Sequence, residues 1–301
     1  MSSSSSDEAR VGSAKWALPA LLLGAVGIAF GPLFVRLAEV GPTTSAFYRM
    51  ALSLPLLLIW LSLENDRARP SQPPKTGREK ATLILAGLFF TIDLAIWHWS
   101  ITLTSVANST LFANAAPIFV TLGGFLLFGQ RFRPLFLVGL VVAILGAVLL
   151  MGDSVTIGGT HLLGDGLAVL AAVFYAAYMM TLSRLRARFS TATIMSWSGA
   201  VSSLGLLLLA LLGGERLLPE TAAGWAALMG LALMAQLGGQ SLIAYAFAHL
   251  PAAFGAVALL LQPALAGALA WVFLGEPLTF QSLSGGAIIL LGILLARKGS
   301  R

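Results

Sequence analysis

The sequence predicts an all-α membrane protein: ten transmembrane helices in two inverted five-helix repeats. Three observations carry that prediction. Charge is scarce: 301 residues hold 18 Lys and Arg and 12 Asp and Glu, 10% in all, where a soluble domain carries about 25%. Ten apolar stretches each approach the ~20 residues that a bilayer crossing needs. A register of 146 residues lays the second half of the chain on the first. Hydrophobic residues make up 58% and mean hydropathy is +0.90, so polar surface is too small to cover a soluble core. The pI near 10.2 does not mark a nucleic-acid binder, because the basic residues do not gather on one stripe. With no Cys, disulfides, thiol catalysis and thiolate metal sites are excluded.

The first five spans run near Trp16–Val35, Thr44–Leu63, Ala81–Leu103, Val106–Phe128 and Pro134–Met151. The second five run near Gly164–Leu182, Ser190–Leu212, Ala222–Tyr245, Ala252–Leu274 and Phe280–Ala296. Residues 1–13, with a Ser run, read as a disordered cytoplasmic tail, residues 14–151 as the first repeat and residues 152–301 as the inverted second. A signal peptide is the competing reading of the first span. Nine further spans and no clear small-residue cleavage site argue against it.

The basic residues test this count through the positive-inside rule. Fifteen of the 18 fall in the N-tail, the C-tail and the loops after spans 2, 4, 6 and 8. The other side receives only Arg36 and Arg216, with Glu39, Asp153, Asp165, Glu215, Glu220 and Glu276, and Arg49 lies inside span 2. Both termini are therefore expected in the cytoplasm, and the chain in the plasma membrane, the inner membrane of a bacterium.

In the repeat register Pro117 matches Pro263, Gly129 matches Gly275, Gly139 matches Gly285 and Gly146 matches Gly292. Leu and Ala matches arise often by chance in such a chain, whereas ungapped Pro and Gly matches do not. The first two spans of each half align less cleanly and need a gap of a residue or two. Five spans per repeat is an odd number, so the second repeat enters the membrane from the opposite side. Inverted repeats of this kind imply a secondary transporter with its site near the midplane. Gly27 and Gly31 form a GxxxG in span 1, and Gly139 and Gly146 share one face of span 5; plain helix packing accounts for such glycines.

Several motifs carry a resemblance: Gly31-Pro32-Leu33-Phe34 in span 1, Ala46 to Ala51 around Arg49 in span 2, and Phe128-Gly129-Gln130 after the Pro117 helix. Gln262-Pro263 and Leu274-Gly275-Glu276-Pro277 join them in the second half. With these the chain resembles the EamA type of the drug/metabolite transporter superfamily over nearly its whole length beyond the N-tail. The resemblance implies two five-helix inverted repeats and export of small solutes, with an aromatic-amino-acid exporter branch of similar length and layout. A flippase for drugs or lipid-linked metabolites within the same superfamily is the alternative it leaves open.

Ionisable groups inside the hydrocarbon are costly and mark candidate sites. Here they are Arg49, Asp93 and His98. At 1.5 Å per residue Arg49 lies roughly 9 Å below the outer boundary and within about 6 Å of the depth of Asp93. Two readings follow. Either the two pair and hold the bundle together, or they contact the carboxylate and ammonium of a zwitterionic solute, with Asp93 as a proton carrier. Asp93, Trp97, Ser100 and Thr104 recur on one face of span 3, and His98 falls about 140° away from Asp93, on another face. His98 is a second proton-coupling candidate; a lone His is otherwise a satisfied core group.

Span 4 carries Thr110, Asn114, Pro117 and Thr121 on one face. Pro117 frees the carbonyl of Ala113, and Pro263 frees that of Leu259. Both prolines lie near the midplane, where unwound backbone lines transporter sites, with Asn114 and Gln262 close by. Tyr48, Tyr178, Trp197, Gln236 and Gln240 complete the candidate substrate-binding set, the rings suiting aromatic or cationic solutes. Trp16, Trp60 and Trp225 near span ends read as interfacial anchors. No Lys follows a Gly, so there is no Walker A motif and no ATP-driven step. Three His, no Cys and no HExxH leave no recognisable catalytic centre, so no enzyme activity, cofactor or metal is expected. The expected partners are a small-molecule substrate and the lipid bilayer, and monomer and dimer are both left open. A small-solute channel would need a more continuous polar pore than these spans supply.

Overall fold

The computed structural model describes residues 15–64, 73–104, 106–151, 162–274 and 279–300. The N-terminal tail, Asp153 and the Gly275–Pro277 motif fall outside that set. Among the described residues helices are the regular structure, with no strand. Nine helical spans are long and apolar enough to cross a bilayer, and the shorter apolar Pro134–Leu150 supplies span 5.

Local chemistry sets where the spans begin. Thr76 and Glu79 form a capping box at the start of Gly77–Leu103, so this span 3 helix starts before the apolar run. Ser190, Thr221 and Thr279 cap the starts of spans 7, 8 and 10 by accepting from the backbone N–H three residues on. Gly129, at φ 61°, ends Ala116–Phe128 in the left-handed conformation that favours glycine. Three spans are interrupted. Span 1 breaks at Phe30 between Ala17–Ala29 and Gly31–Leu37. Span 4 breaks between Val106–Ala113 and Ala116–Phe128, and span 9 between Ala252–Leu259 and Leu261–Leu274. Each break sits two or three residues before a proline: Pro32, Pro117 or Pro263. In span 8, Leu231–Gln240 is a π-helix of 10 residues, flanked by Ala222–Gly230 and Ser241–Ala246.

The main helix contacts follow a pseudo-two-fold rule: a contact between two spans recurs between the spans numbered five higher. Span 3 packs on span 6 as span 8 packs on span 1, and span 4 packs on span 6 as span 9 packs on span 1. Spans 2 and 7, 4 and 9, and 5 and 10 pack on their own repeat mates. The packing groups are therefore not the two sequence halves. Span 1 joins spans 8 and 9, and span 6 joins spans 3 and 4, so each half lends its first helix to the other.

The tightest pair, spans 5 and 10, shows the symmetry residue by residue. A methyl added at Gly139 would meet the backbone of Gly292 and Ala296, and one at Gly146 would meet that of Gly285 and Ile289. Seen from span 10, Gly285 meets Leu150 and Gly292 meets Ala143. Under the 146-residue register the pair Gly139–Gly292 maps onto Gly285–Gly146, and Ala143–Gly292 maps onto Ile289–Gly146. Such self-complementary exchange is what a two-fold contact requires. In span 1 the close approach uses Gly24 and Gly27, which face Gly239 and Met234. Gly31 has open space beside it, so the predicted GxxxG pair is corrected to Gly24 and Gly27.

At one end of the bundle two loops hold each other by crossed carboxylates. Glu39, after span 1, accepts from the Glu220 and Thr221 N–H groups (3.2 and 3.1 Å) and the Thr221 hydroxyl (2.8 Å). Glu215, before span 8, accepts from Thr43 N–H (3.1 Å) and Thr44 N–H (2.7 Å) at the start of span 2. Each carboxylate sits on the free N–H groups of the other loop's helix. Glu39 has φ 56° and is the one non-glycine residue with positive φ among those described. At the opposite end, Arg188 pairs with Glu79 at 3.5 Å. The Thr221 hydroxyl, above all, holds the Glu39 carboxyl below its usual 4.5. A carboxyl lowered in the fold stabilises it above the unfolded value, and that stability is lost as pH falls through the folded one. Wild type should therefore melt above Glu39→Gln at pH 7, with the gap closing below about pH 4. A gap constant from pH 7 to pH 3 in detergent melts would contradict the clasp.

Large apolar side chains such as Leu23, Leu127, Leu145, Leu204 and Leu294 cover the outside. This is the surface a hydrocarbon surround leaves uncovered. Trp16 is well exposed at a span end, with Trp60 and Trp225 less so, as interfacial anchors are.

Candidate functional site

The three broken spans and the π-helical span converge on one cavity of about 130 Å³. That is close to the ~150 Å³ of an engineered cavity that takes up benzene, so a single ring-sized solute fits. Span 1 contributes Ala29, Gly31 and Pro32; span 2, Arg49; span 3, Phe90, Asp93, Trp97 and His98. Span 4 adds Thr110, Ala113 and Asn114, span 6 adds Tyr175, and spans 8 and 9 add Gln240, Gln262 and Pro263.

Arg49 and Asp93 are 8% and 7% exposed, and both border the cavity without pairing. Among the described residues the ion pairs are Arg188–Glu79 and Arg216–Glu220. Arg49 instead donates from Nε to Oε1 of Gln236 at 3.0 Å, and its guanidinium carbon lies 5.8 Å from the centroid of the Phe90 ring. That bond uses one of five guanidinium donors; no other hydrogen bond from it is present among the described residues. The Asp93 carboxylate has no hydrogen-bond or ion-pair partner there either. The Gln262 Nε2 and His98 Nδ1 atoms are buried and unpartnered. Unsatisfied polar groups converging on an apolar-walled space are expected where a polar solute completes the set.

Below the cavity, Phe90 stacks on Tyr178 with centroids 4.5 Å apart, and Tyr178 on Tyr175 at 6.2 Å. Gln240 Nε2 donates to the Tyr178 hydroxyl at 3.5 Å. Of the predicted residues, Arg49, Asp93, Trp97, His98, Asn114, Gln240, Gln262 and Pro263 border the cavity. Tyr178 and Gln236 form the layer behind it. Pro117 is buried, its carbonyl accepting from the Thr121 hydroxyl at 2.8 Å. Tyr48 packs edge-on against Trp225 with centroids 5.4 Å apart, and Trp197 packs into the apolar core; neither borders the cavity.

The polar stripe of span 3 divides. Asp93 and Trp97 face the cavity, whereas Ser100 donates to the Gly164 carbonyl (2.8 Å) and Thr104 to Asp165 (2.7 Å), tying span 3 to span 6. The helical-wheel angle predicted separate faces for Asp93 and His98. Both border the cavity because it wraps round span 3 towards Trp97, whose ring lies 5.1 Å from that of His98. Asn114 spends its Nδ2 on the Thr110 carbonyl (2.8 Å) and so caps the broken helix. Gly31, Pro32, Phe90 and Tyr175 were not predicted as lining residues. Signals existed: a mid-span proline, a ring three residues before Asp93, and a ring three before Tyr178.

The fold defines a polytopic helical membrane protein built of two inverted five-helix repeats. The EamA-like transporter family model matches residues 15–152 and again 162–297, and the chain belongs to that family. Two relatives from Archaeoglobus fulgidus, each named "Uncharacterized transporter", are similar along their length. One is 27% identical over 270 residues, covering 87% of this chain and 89% of its own. The second is 25% identical over 287 residues, covering 95% and 96%. A solved crystal structure shares the fold at TM-score 0.78 and 19% identity, covering 97% of this chain and 98% of its own.

Proposed function

We propose that the chain is a secondary, non-ATP transporter that exports amino acids, aromatic ones among them, or related small metabolites. Alternating access around the cavity carries the solute, both termini lie in the cytoplasm, and no chemical conversion takes place. One observation carries the substrate class: Arg49 and Asp93 border a single cavity and form no ion pair with each other. A zwitterion satisfies both, its carboxylate on the Arg49 fork with Gln262 and its ammonium on Asp93 and the face of Trp97. Phe90 and Tyr175 offer the side chain a ring-lined wall. The direction of transport rests on the family resemblance, and the 15-to-2 split of basic residues supports the orientation.

Purified protein in liposomes should show saturable counterflow of a labelled aromatic amino acid, with little uptake of the matching amine or the matching carboxylic acid. Equal transport of all three would refute the zwitterion reading. An unselective leak of small solutes would replace the transporter with a channel.

A further inference from the structure

The glycines of the bundle fall into two kinds. At Gly24, Gly27, Gly139, Gly285 and Gly292 the place of the missing side chain is taken by a neighbour, for a Cβ there would meet the backbone of the facing helix. Gly31 is of the other kind. It is buried, yet a Cβ built on it would meet nothing within 4 Å. The other described glycines with such room are Gly77, Gly129, Gly166, Gly214 and Gly267, and each is at least partly exposed. Their space is open to the outside. The space at Gly31 is internal, and Gly31 borders the cavity of about 130 Å³.

The fold gives no reason for glycine at this position. The left-handed φ that favours glycine occurs among the described glycines at Gly129 and Gly214, not here. No neighbour packs into the space of the missing side chain, and Gly is a poorer helix former than Ala by about 1 kcal/mol. What the glycine does leave is room. Spans 3 and 6 bring the rings of Phe90, Trp97 and Tyr175 to the cavity, whereas the broken spans 1, 4 and 9 bring Ala29, Gly31, Ala113 and Ala266 among their lining residues.

We infer that Gly31 sets the size of solute that the cavity takes, the apolar part of the solute occupying the space that a side chain at position 31 would fill. The inference rests on the transporter reading given above, but not on the charge of the solute's head group. A cavity close to the size that holds one benzene ring loses a large part of its room to the four carbons of Leu and a smaller part to the methyl of Ala. A solute with a short side chain still fits beside an added Leu, and one with an indole does not. Because the room is already there, the backbone at position 31 has no need to shift. The change therefore acts on the solute and not on the fold.

The discriminating readout is the order of solutes, not the overall rate. Wild type, Gly31→Ala and Gly31→Leu are reconstituted in liposomes, and counterflow is measured for labelled alanine, leucine, phenylalanine and tryptophan, with the amine and the carboxylic acid that match phenylalanine. The ratio of kcat/KM for tryptophan to that for the smallest solute moved should fall at least about tenfold in Gly31→Leu, the lower end of what one methylene decides in a pocket. It should fall less in Gly31→Ala, and both variants should melt with wild type in detergent. Gly27→Leu is the control for a change that acts through the fold. A side chain there meets the backbone of Met234 and Gly239, so melting should drop and transport of every solute should fall alike. If both Gly31 variants keep the wild-type order of solutes, or lose all solutes in equal proportion, Gly31 does not set the size and the transporter reading stands without it. A wild type that prefers the amine or the acid, with the size order still shifting in Gly31→Leu, supports the inference and overturns the zwitterion reading. A wild type that moves none of the panel overturns the transporter reading and this inference with it.

Discussion

Asp93→Asn protein should still exchange solute across a liposome membrane, with weakened affinity because the amide keeps a hydrogen bond to the ammonium but loses the charge, yet fail to accumulate it against its gradient when a pH gradient is imposed. The carboxylate borders the cavity, is 7% exposed, and has no partner among the described residues. A proton arriving there displaces no existing bond. The amide keeps the shape and can still accept a hydrogen bond from an ammonium, but it cannot take up or release a proton. Accumulation depends on proton movement, whereas exchange depends only on binding and on conformational change. The expected loss of accumulation is at least about 100-fold, which corresponds to about 2.7 kcal/mol of coupling. Accumulation unchanged in Asp93→Asn would retire proton coupling through this residue, and loss of both activities would make Asp93 a binding group alone.

The second large effect concerns stability. Gly292→Leu should destabilise the fold by about 3 kcal/mol, the upper end of the overpacking range. A side chain at Gly292 meets the backbone and Cβ of Ala143, and backbone has no alternative rotamer to adopt. The same contact recurs by symmetry between Gly146 and Ile289, so Gly146→Leu should cost a similar amount. Gly31→Ala is the contrast. It has open space beside it, and Ala is the better helix former by about 1 kcal/mol, so its melting temperature should not fall. Detergent-solubilised melting curves decide the matter: Gly292→Leu melting with wild type would mean that spans 5 and 10 are not in backbone contact.

The parts of this architecture legible in the sequence were those that bilayer physics writes into composition. Charges cannot be scattered through hydrocarbon, so Arg184, Arg188 and their like mark one side. Gly139 and Gly146 signalled a close helix contact because only a missing side chain permits one. The sequence could not say which helix they meet, and so the exchange of spans 1 and 6 between the halves stayed invisible. For the site, burial cost alone singled out Arg49 and Asp93. Whether they pair depends on Gln236, 187 residues from Arg49, whose Oε1 takes the Arg49 Nε instead. His98 was misplaced because a helical wheel describes one helix, while a cavity wall is made by several.

The π-helical stretch Leu231–Gln240 gives the near-symmetry its limit. A wide turn stores extra backbone without lengthening the span, so residues before and after it are phased independently. The span 3 helix, α-helical from Gly77 to Leu103, has no such joint. This accounts for a 146-residue register that holds from the end of span 8 onward and slips in the spans before it. Were Leu231–Gln240 to relax to α geometry, each residue absorbed would rotate everything beyond Gln240 by about 100° and shift it by about 1.5 Å. Tyr178 and Gly24 would then face different partners. The copies agree in outline and differ in phase, and that phase is set by one stretch of ten residues.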